Sequence, residues 1–400
     1  MSKINDLIKE LCPNGIEYTT IENVIKSYSS GLNPRQNFKL NENDAELYYV
    51  TVKEMTTGKI IFSDKTDKIT SEAWHKIQNR SKLELNDVLL SGIGTIGKVA
   101  MVDIPVDNWN CSESVILLKP KMNIIIPKYL VHLLRSNYVQ EQWNNNSVGS
   151  TLKGLRKENV LKTKIALPPL KVQEEIVHIL DKFSELEAEL EAELEARKKQ
   201  YMFWRSQMFK YKGNKKISDI FTRVKGTPIT AGKMKEIEDP NGNIRIFAGG
   251  QTAVNANLED IPKANIIDFP CVIVQSRGLI DFVYYDKPFT FKNEMWAYTC
   301  DNQVTVKFLY YYLKNNVNYF RKIGTQMGSM PQISLPITEK FEIFLPSLEE
   351  QKKVVIILDK FEKLISDIST GIPAEIELRR KQYEYYRNKL LSFEELNVNE

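Results

Sequence analysis

Short apolar runs separated by turn residues fill the first part of the chain. The runs that begin at Val88, Val99 and Val115 are each a few residues long, with Gly, Asn, Asp or Pro between them. Such runs are typical of buried β-strands. Pro127–Arg135 instead spaces its leucines as a helix does, with proline at the first helical position, and Asn5–Leu11 is predicted to form another short helix. The pattern predicts a β-rich α/β domain with few long helices.

The same plan returns in the second half of the chain. LPPLKVQEEIVHILDKF from Leu167 recurs as LPSLEEQKKVVIILDKF from Leu345, with ten of seventeen positions identical at a constant offset of 178. The helical run Tyr129–Arg135 recurs as Phe308–Lys314 at offset 179. A repeat of this length predicts two similar halves, each a globular part followed by a long helix.

Both repeated blocks open long segments with apolar residues about every 3.5 positions, the spacing of a coiled coil. A helix of about 40 residues is about 60 Å long, which is too long to be buried against one small domain. We therefore expect two long helices that form an antiparallel coiled coil and join two globular domains related by a pseudo-twofold axis. Gly371 and Pro373 are expected to break or kink the second helix. The residues predicted at the helix contacts are Ile176, Leu180, Phe183, Leu190, Leu194, Tyr201, Val354, Leu358, Phe361, Ile365 and Tyr383, and Ile368 follows the same spacing.

Two further features of these helices allow more than one interpretation. The basic and aromatic segment Arg197–Arg205 returns at Arg379–Arg387 with offset 182; it could contact nucleic acid, but aromatic residues at helical spacing are more often packed core. Three copies of ELEA occupy Glu185–Ala196. They form either an ordinary solvated helix or a spacer in which each copy adds about 6 Å.

These boundaries give a four-part prediction: globular domains at 1–166 and 213–344, a central helix at 167–212, and a C-terminal helix at 345–400 that pairs with it. The formal charge of +4 is weakly basic, but the acidic ELEA copies hide a more basic remainder. The four cysteines lie far apart and there are three histidines, so a zinc cluster or a disulfide framework is not expected. Without an apolar run of transmembrane length or a signal-peptide core, a soluble cytoplasmic protein is expected.

One motif invites an enzyme assignment. Gly92–Val99 matches the GxGxxG pattern of nucleotide-binding loops. A dinucleotide site needs a helix after the glycines, but the residues that follow are strand-like; a kinase needs HRD and DFG segments, which the sequence lacks. A phosphate loop needs Ser or Thr after its lysine, where this chain has Val99, and an ungapped alignment of the halves at offset 184 puts Asp281 opposite Gly97. We therefore interpret the motif as a glycine-rich β-turn.

Basic, amide and hydroxyl side chains in the loops are candidates for contacts with nucleic acid. Arginine pairs with guanine, Asn and Gln pair with adenine, and lysine mostly contacts phosphate. Any one of them is more often an ordinary surface residue than a base reader. The candidates are Arg35, Lys53, Ser91, Thr95, Lys98, Lys153, Arg156, Lys225, Arg245, Ser276, Arg277, Lys292, Gln326 and Gln332.

Over its whole length the chain resembles the specificity subunits of type I restriction-modification systems. The resemblance rests on LCPNGIEY from Leu11, on DVLLS and GTIGKV around the glycine turn, and above all on the paired LPxLxxQ blocks. It implies two target recognition domains that each read one half of a split double-stranded DNA target in the major groove. It also implies that two methyltransferase subunits and restriction (translocase) subunits dock on the helices, and that S-adenosylmethionine, ATP and Mg belong to those partners and not to this chain.

The sequence is consistent with a non-catalytic role, because it has no [DN]PP[YF] methyltransferase motif and no complete Walker A motif. Two other classes stay open. One is a recognition subunit of a related system whose partner is a fused nuclease-methyltransferase. The other is a coiled-coil scaffold without DNA binding, and an autonomous enzyme is the weakest interpretation.

Overall fold

The computed structural model describes residues 2–35, 37–56, 58–146, 154–211, 213–261, 264–324 and 330–395. The chain forms two compact units. Unit 1 comprises Met1–Glu189 and Ile376–Glu400, and unit 2 comprises Leu190–Glu375. These two units differ from the predicted four-part division at 1–166, 167–212, 213–344 and 345–400. That division stays a prediction.

Unit 1 holds eleven strands: β1 Tyr18–Thr20, β2 Ile25–Ser30, β3 Leu47–Val50, β4 Met55–Thr56, β5 Lys59–Ile60, β6 Lys68–Ile69, β7 Val88–Ser91, β8 Val99–Met101, β9 Trp109–Cys111, β10 Val115–Pro120 and β11 Lys164–Ala166, counted over the described residues. Its helices are α1 Ser2–Leu11, α2 Ile21–Val24, α3 Ser71–Ser81, α4 Pro127–Leu134, α5 Asn137–Asn146 and α6 Lys157–Leu161. The helix α7 Leu170–Met208 passes from unit 1 into unit 2.

The strands of unit 2 are β12 Lys215–Lys216, β13 Thr222–Lys225, β14 Ile244–Phe247, β15 Ala253–Ala256, β16 Cys271–Gln275, β17 Asp281–Tyr285, β18 Phe289–Phe291, β19 Trp296–Thr299 and β20 Glu342–Ile343. Its helices are α8 Ala231–Glu236, α9 Gln303–Asn315, α10 Val317–Gly324, α11 Leu335–Glu339 and α12 Leu348–Ser366. The last helix, α13 Ile372–Leu390, begins in unit 2 and ends in unit 1.

The two units share one sheet plan. An antiparallel four-stranded sheet has the order β2-β10-β7-β8 in unit 1 and β13-β19-β16-β17 in unit 2. A three-stranded sheet has the order β6-β3-β9 or β15-β14-β18, and in both cases the central strand pairs with one neighbour in parallel and with the other antiparallel. The predicted internal repeat and mixed α/β class are confirmed.

The apolar runs become the strands of the cores, as predicted. Val88, Leu89 and Leu90 of β7 are buried, and α4 is buried from Tyr129 to Leu134 against this sheet. The helix α3, which the apolar pattern did not reveal, begins where the Thr70 hydroxyl accepts a hydrogen bond from the Ala73 amide. Its sequence is mostly polar, so local capping marks it better than hydrophobic periodicity does.

The strand pairing corrects the ungapped alignment of the two glycine turns. Leu90 pairs with Val99 in unit 1, and the amide of Ser91 donates to the carbonyl of Lys98. In unit 2 Gln275, the counterpart of Ser91, pairs with Asp281. The turn of unit 2 is therefore one residue shorter, and Asp281 stands in the place of Lys98 and not of Gly97.

The long helices contact each other within each unit. In unit 1 Phe183 of α7 stacks on Tyr386 of α13 with ring centroids 5.1 Å apart, and Glu187 binds Arg380 at 2.6 Å. Positions rise along α7 as they fall along α13, so the two helices are antiparallel there. Among the other predicted contact residues, Ile176, Leu180 and Tyr383 are buried in the same core. The wider coiled coil and the pseudo-twofold relation stay predictions.

In unit 2 the ring of Tyr201 on α7 lies 6.3 Å from that of Phe361 on α12. Tyr201 and Leu358 are buried in the core, and Val354, Phe361 and Ile365 pack against it. Leu190 and Leu194 are only half-buried. In the basic-aromatic segment, the packing interpretation holds for Tyr201 but not for Phe203 and Trp204, which are 57% and 45% exposed.

The second long helix is interrupted, as predicted from its glycine and proline. Helix α12 ends at Ser366 and α13 begins at Ile372, with Pro373 in its first turn. The expectation that Ile368 belongs to the apolar stripe is wrong: it lies in the break and is 85% exposed, because the chain there no longer has a helical period.

A buried glutamine explains the repeated LPxLxxQ text. Gln173 in the first turn of α7 donates from Nε2 to the carbonyls of Ile124 and Pro168 and accepts from the amide of Ile126, at 2.8–2.9 Å. Gln351 in α12 donates to the carbonyl of Pro346 and accepts from the hydroxyl of Thr305, both at 2.8 Å. In each unit this side chain ties the start of the long helix to the element that packs beneath it.

Candidate nucleic-acid interface

The glycine motif of unit 1 is the turn between β7 and β8. Gly94 and Gly97 have φ angles of +81° and +83°, a region that favours glycine. The hydroxyl of Ser91 accepts a 2.8 Å hydrogen bond from the amide of Lys98 and closes the turn. The interpretation as a glycine-rich β-turn is confirmed, since strand β8 follows directly where a dinucleotide site would need a helix.

This turn gathers three segments that are distant in the sequence. Ile93 forms an antiparallel bridge with Gly154, and the amide of Leu155 donates to the carbonyl of Gly92 at 2.8 Å. The ammonium of Lys98 donates to the carbonyl of Val52 at 3.0 Å. The candidates brought together on the surface, all exposed, are Lys53, Thr95, Lys98 and Arg156.

Unit 2 builds its turn, between β16 and β17, in the same way. The main chains of Arg277 and Gln332 form an antiparallel β-bridge, and the amide of Ile333 donates to the carbonyl of Ser276 at 2.9 Å. The guanidinium of Arg277 donates to the amide oxygen of Gln332 at 3.3 Å, so two predicted readers are paired side by side. Arginine is suited to hydrogen-bond guanine and glutamine to hydrogen-bond adenine, so this pair could contact either base.

The remaining candidates take several positions. Ser91 and Ser276 are buried, so they shape the turns from inside. Lys292 pairs with Glu294 at 2.7 Å close to Ser276, whose hydroxyl donates to the carbonyl of Glu294. Arg245 is half-buried and donates to Asn255 at 2.8 Å. Arg35 and Lys225 are exposed on other segments, and Lys153 and Gln326 lie outside the described residues.

A buried polar network, not found from the sequence, joins α4, α7 and α13 in unit 1. His132 of α4 contacts the hydroxyl of Tyr383 with Nδ1 at 2.8 Å and the carboxylate of Asp181 with Nε2 at 3.2 Å. Burial lowers the pKa of His132 although Asp181 opposes the shift, so the imidazole is held neutral. Burial alone would raise the pKa of Asp181, but hydrogen bonds from His132 and Lys128 outweigh it and lower that pKa. The sequence repeat could have pointed to this network, because Tyr311 and Asp359, which correspond to His132 and Asp181, form the matching hydrogen bond in unit 2.

Neither a metal-binding cluster nor a membrane-spanning helix is found among the described residues. Across the part of the chain that the structure describes, no three His, Cys, Asp or Glu side chains are grouped so that they could hold a metal ion. The four cysteines are free thiols. None of the described helices combines the length and apolar character needed to cross a membrane.

The chain matches known proteins in sequence and in fold. The family model described as "Type I restriction modification DNA specificity domain" matches it twice, at residues 13–196 and 210–378. The Escherichia coli EcoR124I/EcoR124II type I restriction enzyme specificity subunit is 32% identical over 244 residues, which are 56% of this chain and 60% of that relative. The match thus spans less than two thirds of the relative's length.

Two solved structures share the fold. The S subunit of a type I restriction-modification system from M. genitalium has a TM-score of 0.56 at 17% identity, over 94% of this chain and 96% of that one. A chain from a study of complex assembly and conformational transition of the type I R-M system has a TM-score of 0.60 at 15% identity, over 95% and 98% of the two chains. At these identities the likeness concerns the fold alone.

Proposed function

Because the chain belongs to the type I restriction-modification DNA specificity family, we propose that it is the non-catalytic subunit that reads a split target in double-stranded DNA, one half-site with each unit. The observation that carries this proposal is the doubled turn. The turn between the two strands presents polar side chains in both units, but the side chains differ: the exposed Lys53, Thr95, Lys98 and Arg156 in unit 1, and the exposed Arg277 with the half-buried Gln332 in unit 2. A shared scaffold with unlike loops is what two readers of different half-sites require.

The proposal extends to partners and cofactors. Two methyltransferase subunits and the restriction subunits would dock on α7, α12 and α13, and they would bring S-adenosylmethionine, ATP and Mg. The exposed Phe203 and Trp204 on α7 support a docking role for that helix, because exposed aromatic side chains are enriched at protein interfaces. A partner that fuses nuclease and methyltransferase would use the same DNA-reading units. The proposed site of action is the cytoplasm, where such a complex would meet DNA.

The test is nuclease protection of duplex DNA by the complex of this chain with a methyltransferase subunit at moderate salt. We expect protection of a split sequence above random DNA. Arg277→Ala should cost about 1–3 kcal/mol at one half-site and leave the other unchanged, because a bidentate base contact is worth about that much. Lys65→Ala, at an exposed lysine that is not among the candidate contact residues, serves as the control. If no split sequence is protected above random DNA, the proposal fails, and absence of any DNA binding would support the scaffold instead.

A further inference from the structure

A cleft of about 310 Å³ lies behind the glycine turn of unit 1. Lys98 comes from the turn, Arg135 follows α4, and Arg387 comes from α13, so three cations from separate segments face one space. None of the described residues that line it is acidic. Gly97 and Gln140 also line the cleft.

Arg387 is held in this cleft at a cost. It is only 6% exposed, and its Nε is buried with no hydrogen-bond partner. Its guanidinium lies 5.4 Å from the ring centre of Tyr383, and that of Arg135 lies 5.2 Å from the same centre. Burial lowers the pKa of Arg387. A buried cation with an unsatisfied donor is unfavourable. Arg205 of unit 2 has the same buried Nε without a hydrogen-bond partner, so this feature recurs in both units and does not by itself indicate a ligand.

Unit 2 carries a carboxylate where unit 1 has Lys98, and that carboxylate pairs with the counterpart of Arg135. The offsets of the repeat put Lys314 in the place of Arg135 and Arg205 in that of Arg387. Strand pairing puts Asp281 in the place of Lys98. The carboxylate of Asp281 accepts from Lys314 at 2.7 Å and lies 3.9 Å from Arg321. Unit 2 thus supplies its own anion, whereas unit 1 has a third cation at that position.

We propose that the cleft formed by Lys98, Arg135 and Arg387 is a phosphate-binding site. Two guanidiniums provide forked donors that match phosphate oxygens, and the ammonium of Lys98 at the rim adds charge. The side-chain amide of Gln140 already donates to the carbonyls of Gly97 and Leu134, so it fixes the wall of the cleft. The phosphate belongs either to the DNA backbone beside the turn or to a small molecule. The site does not depend on the proposed reading of DNA.

The first experiment is calorimetric titration of the full chain with inorganic phosphate. We expect saturable binding at one site. Lys98→Asp gives unit 1 the carboxylate that unit 2 carries, and Arg387→Gln removes the buried charge; each should weaken binding at least about tenfold, the effect of losing one charge-assisted hydrogen bond. Lys98 is exposed, so its variant should fold, and melting curves verify this. Lys65→Asp makes the same charge change outside the cleft and should bind as the wild type does.

The second experiment identifies the source of the phosphate. If the DNA backbone occupies the cleft, inorganic phosphate competes with duplex DNA, and Lys98→Asp weakens all duplex sequences alike while lowering the salt slope by about 1. If a small phosphate compound occupies the cleft, inorganic phosphate and duplex DNA bind to the protein at the same time without competing. Either result supports the site. Unsaturable phosphate binding, or equal binding by the wild type, Lys98→Asp and Arg387→Gln, would overturn it.

Discussion

Gln173 offers a direct test of why the repeated helix start has its sequence. The side chain is fully buried and makes three hydrogen bonds to main-chain groups, two of them in the segment that leads into α4. Gln173→Met keeps nearly the same shape and removes all three. The matched change in unit 2, Gln351→Met, removes two bonds, and one of them comes from a hydroxyl of Thr305 that can rotate to another partner.

The expected cost follows from the number of bonds. A buried main-chain group that loses its partner costs about 1–3 kcal/mol, so at the lower part of that range Gln173→Met should destabilise unit 1 by about 3–4 kcal/mol. Gln351→Met should destabilise unit 2 by about 2 kcal/mol. For a unit of this size the Gln173 change corresponds to a fall in melting temperature of roughly 10 °C. The exposed Gln200 on α7 is the control, and Gln200→Met should change stability by less than about 0.5 kcal/mol.

Hydrogen exchange measured peptide by peptide separates the two units, which a single melting curve would mix. In Gln173→Met, the amides of α4 and the first turns of α7 should open more readily, while α9 and α12 keep wild-type protection. The reasoning is refuted if Gln173→Met costs less than about 1 kcal/mol, or if Gln351→Met costs more than Gln173→Met.

Two further predictions concern pH and length. Burial, Arg135 and Arg387 lower the pKa of His132, while Asp181 opposes them. His132 therefore binds a proton more readily in the unfolded chain than in the folded chain. Unit 1 should lose stability as the pH falls through about 6.5, and its melting temperature measures this loss. His132→Gln should flatten this dependence between pH 7.5 and 5.5, and an unchanged slope would contradict the assignment. Deleting one ELEA copy from Glu185–Ala196 shortens the helix by about 6 Å and should shift the preferred half-site spacing by one or two base pairs, mapped by N6-methyladenine sequencing. Altered half-sites at constant spacing would exclude a ruler.

Much of the architecture could be predicted from local patterns. The apolar runs became β7, β8 and β10, the proline-led run became α4, and the break near Pro373 was found where expected. These features depend on neighbours a few residues apart, and such neighbours are visible in the linear text. The repeat added the correspondence of the two halves, because the repeated helix starts mark where each half ends and the apolar runs before them form the same sheet plan.

The length of the glycine turn in unit 2 could not be predicted from local patterns. An ungapped alignment placed Asp281 opposite Gly97, and only the hydrogen-bonded ladder showed that the turn of unit 2 is one residue shorter and that Asp281 replaces a lysine. A one-residue change in the length of a turn leaves the apolar patterns of the two flanking strands intact, so those patterns do not reveal it. The residue at the start of the second strand therefore has opposite charge in the two units, Lys98 in unit 1 and Asp281 in unit 2.

The cation cluster shows the same division. Arg387 and Arg135 are separated by about 250 positions, yet both guanidiniums lie over the ring of Tyr383. In the sequence each of them is an ordinary basic residue, Arg135 just after α4 and Arg387 within α13. Whether a charge is solvated or buried depends on what the rest of the fold packs around it, and that is set by long-range contacts between α4 and α13. Local periodicity determined the elements and their repetition, while the tertiary packing decided which side chains meet, because burial and hydrogen bonding are properties of the assembled core.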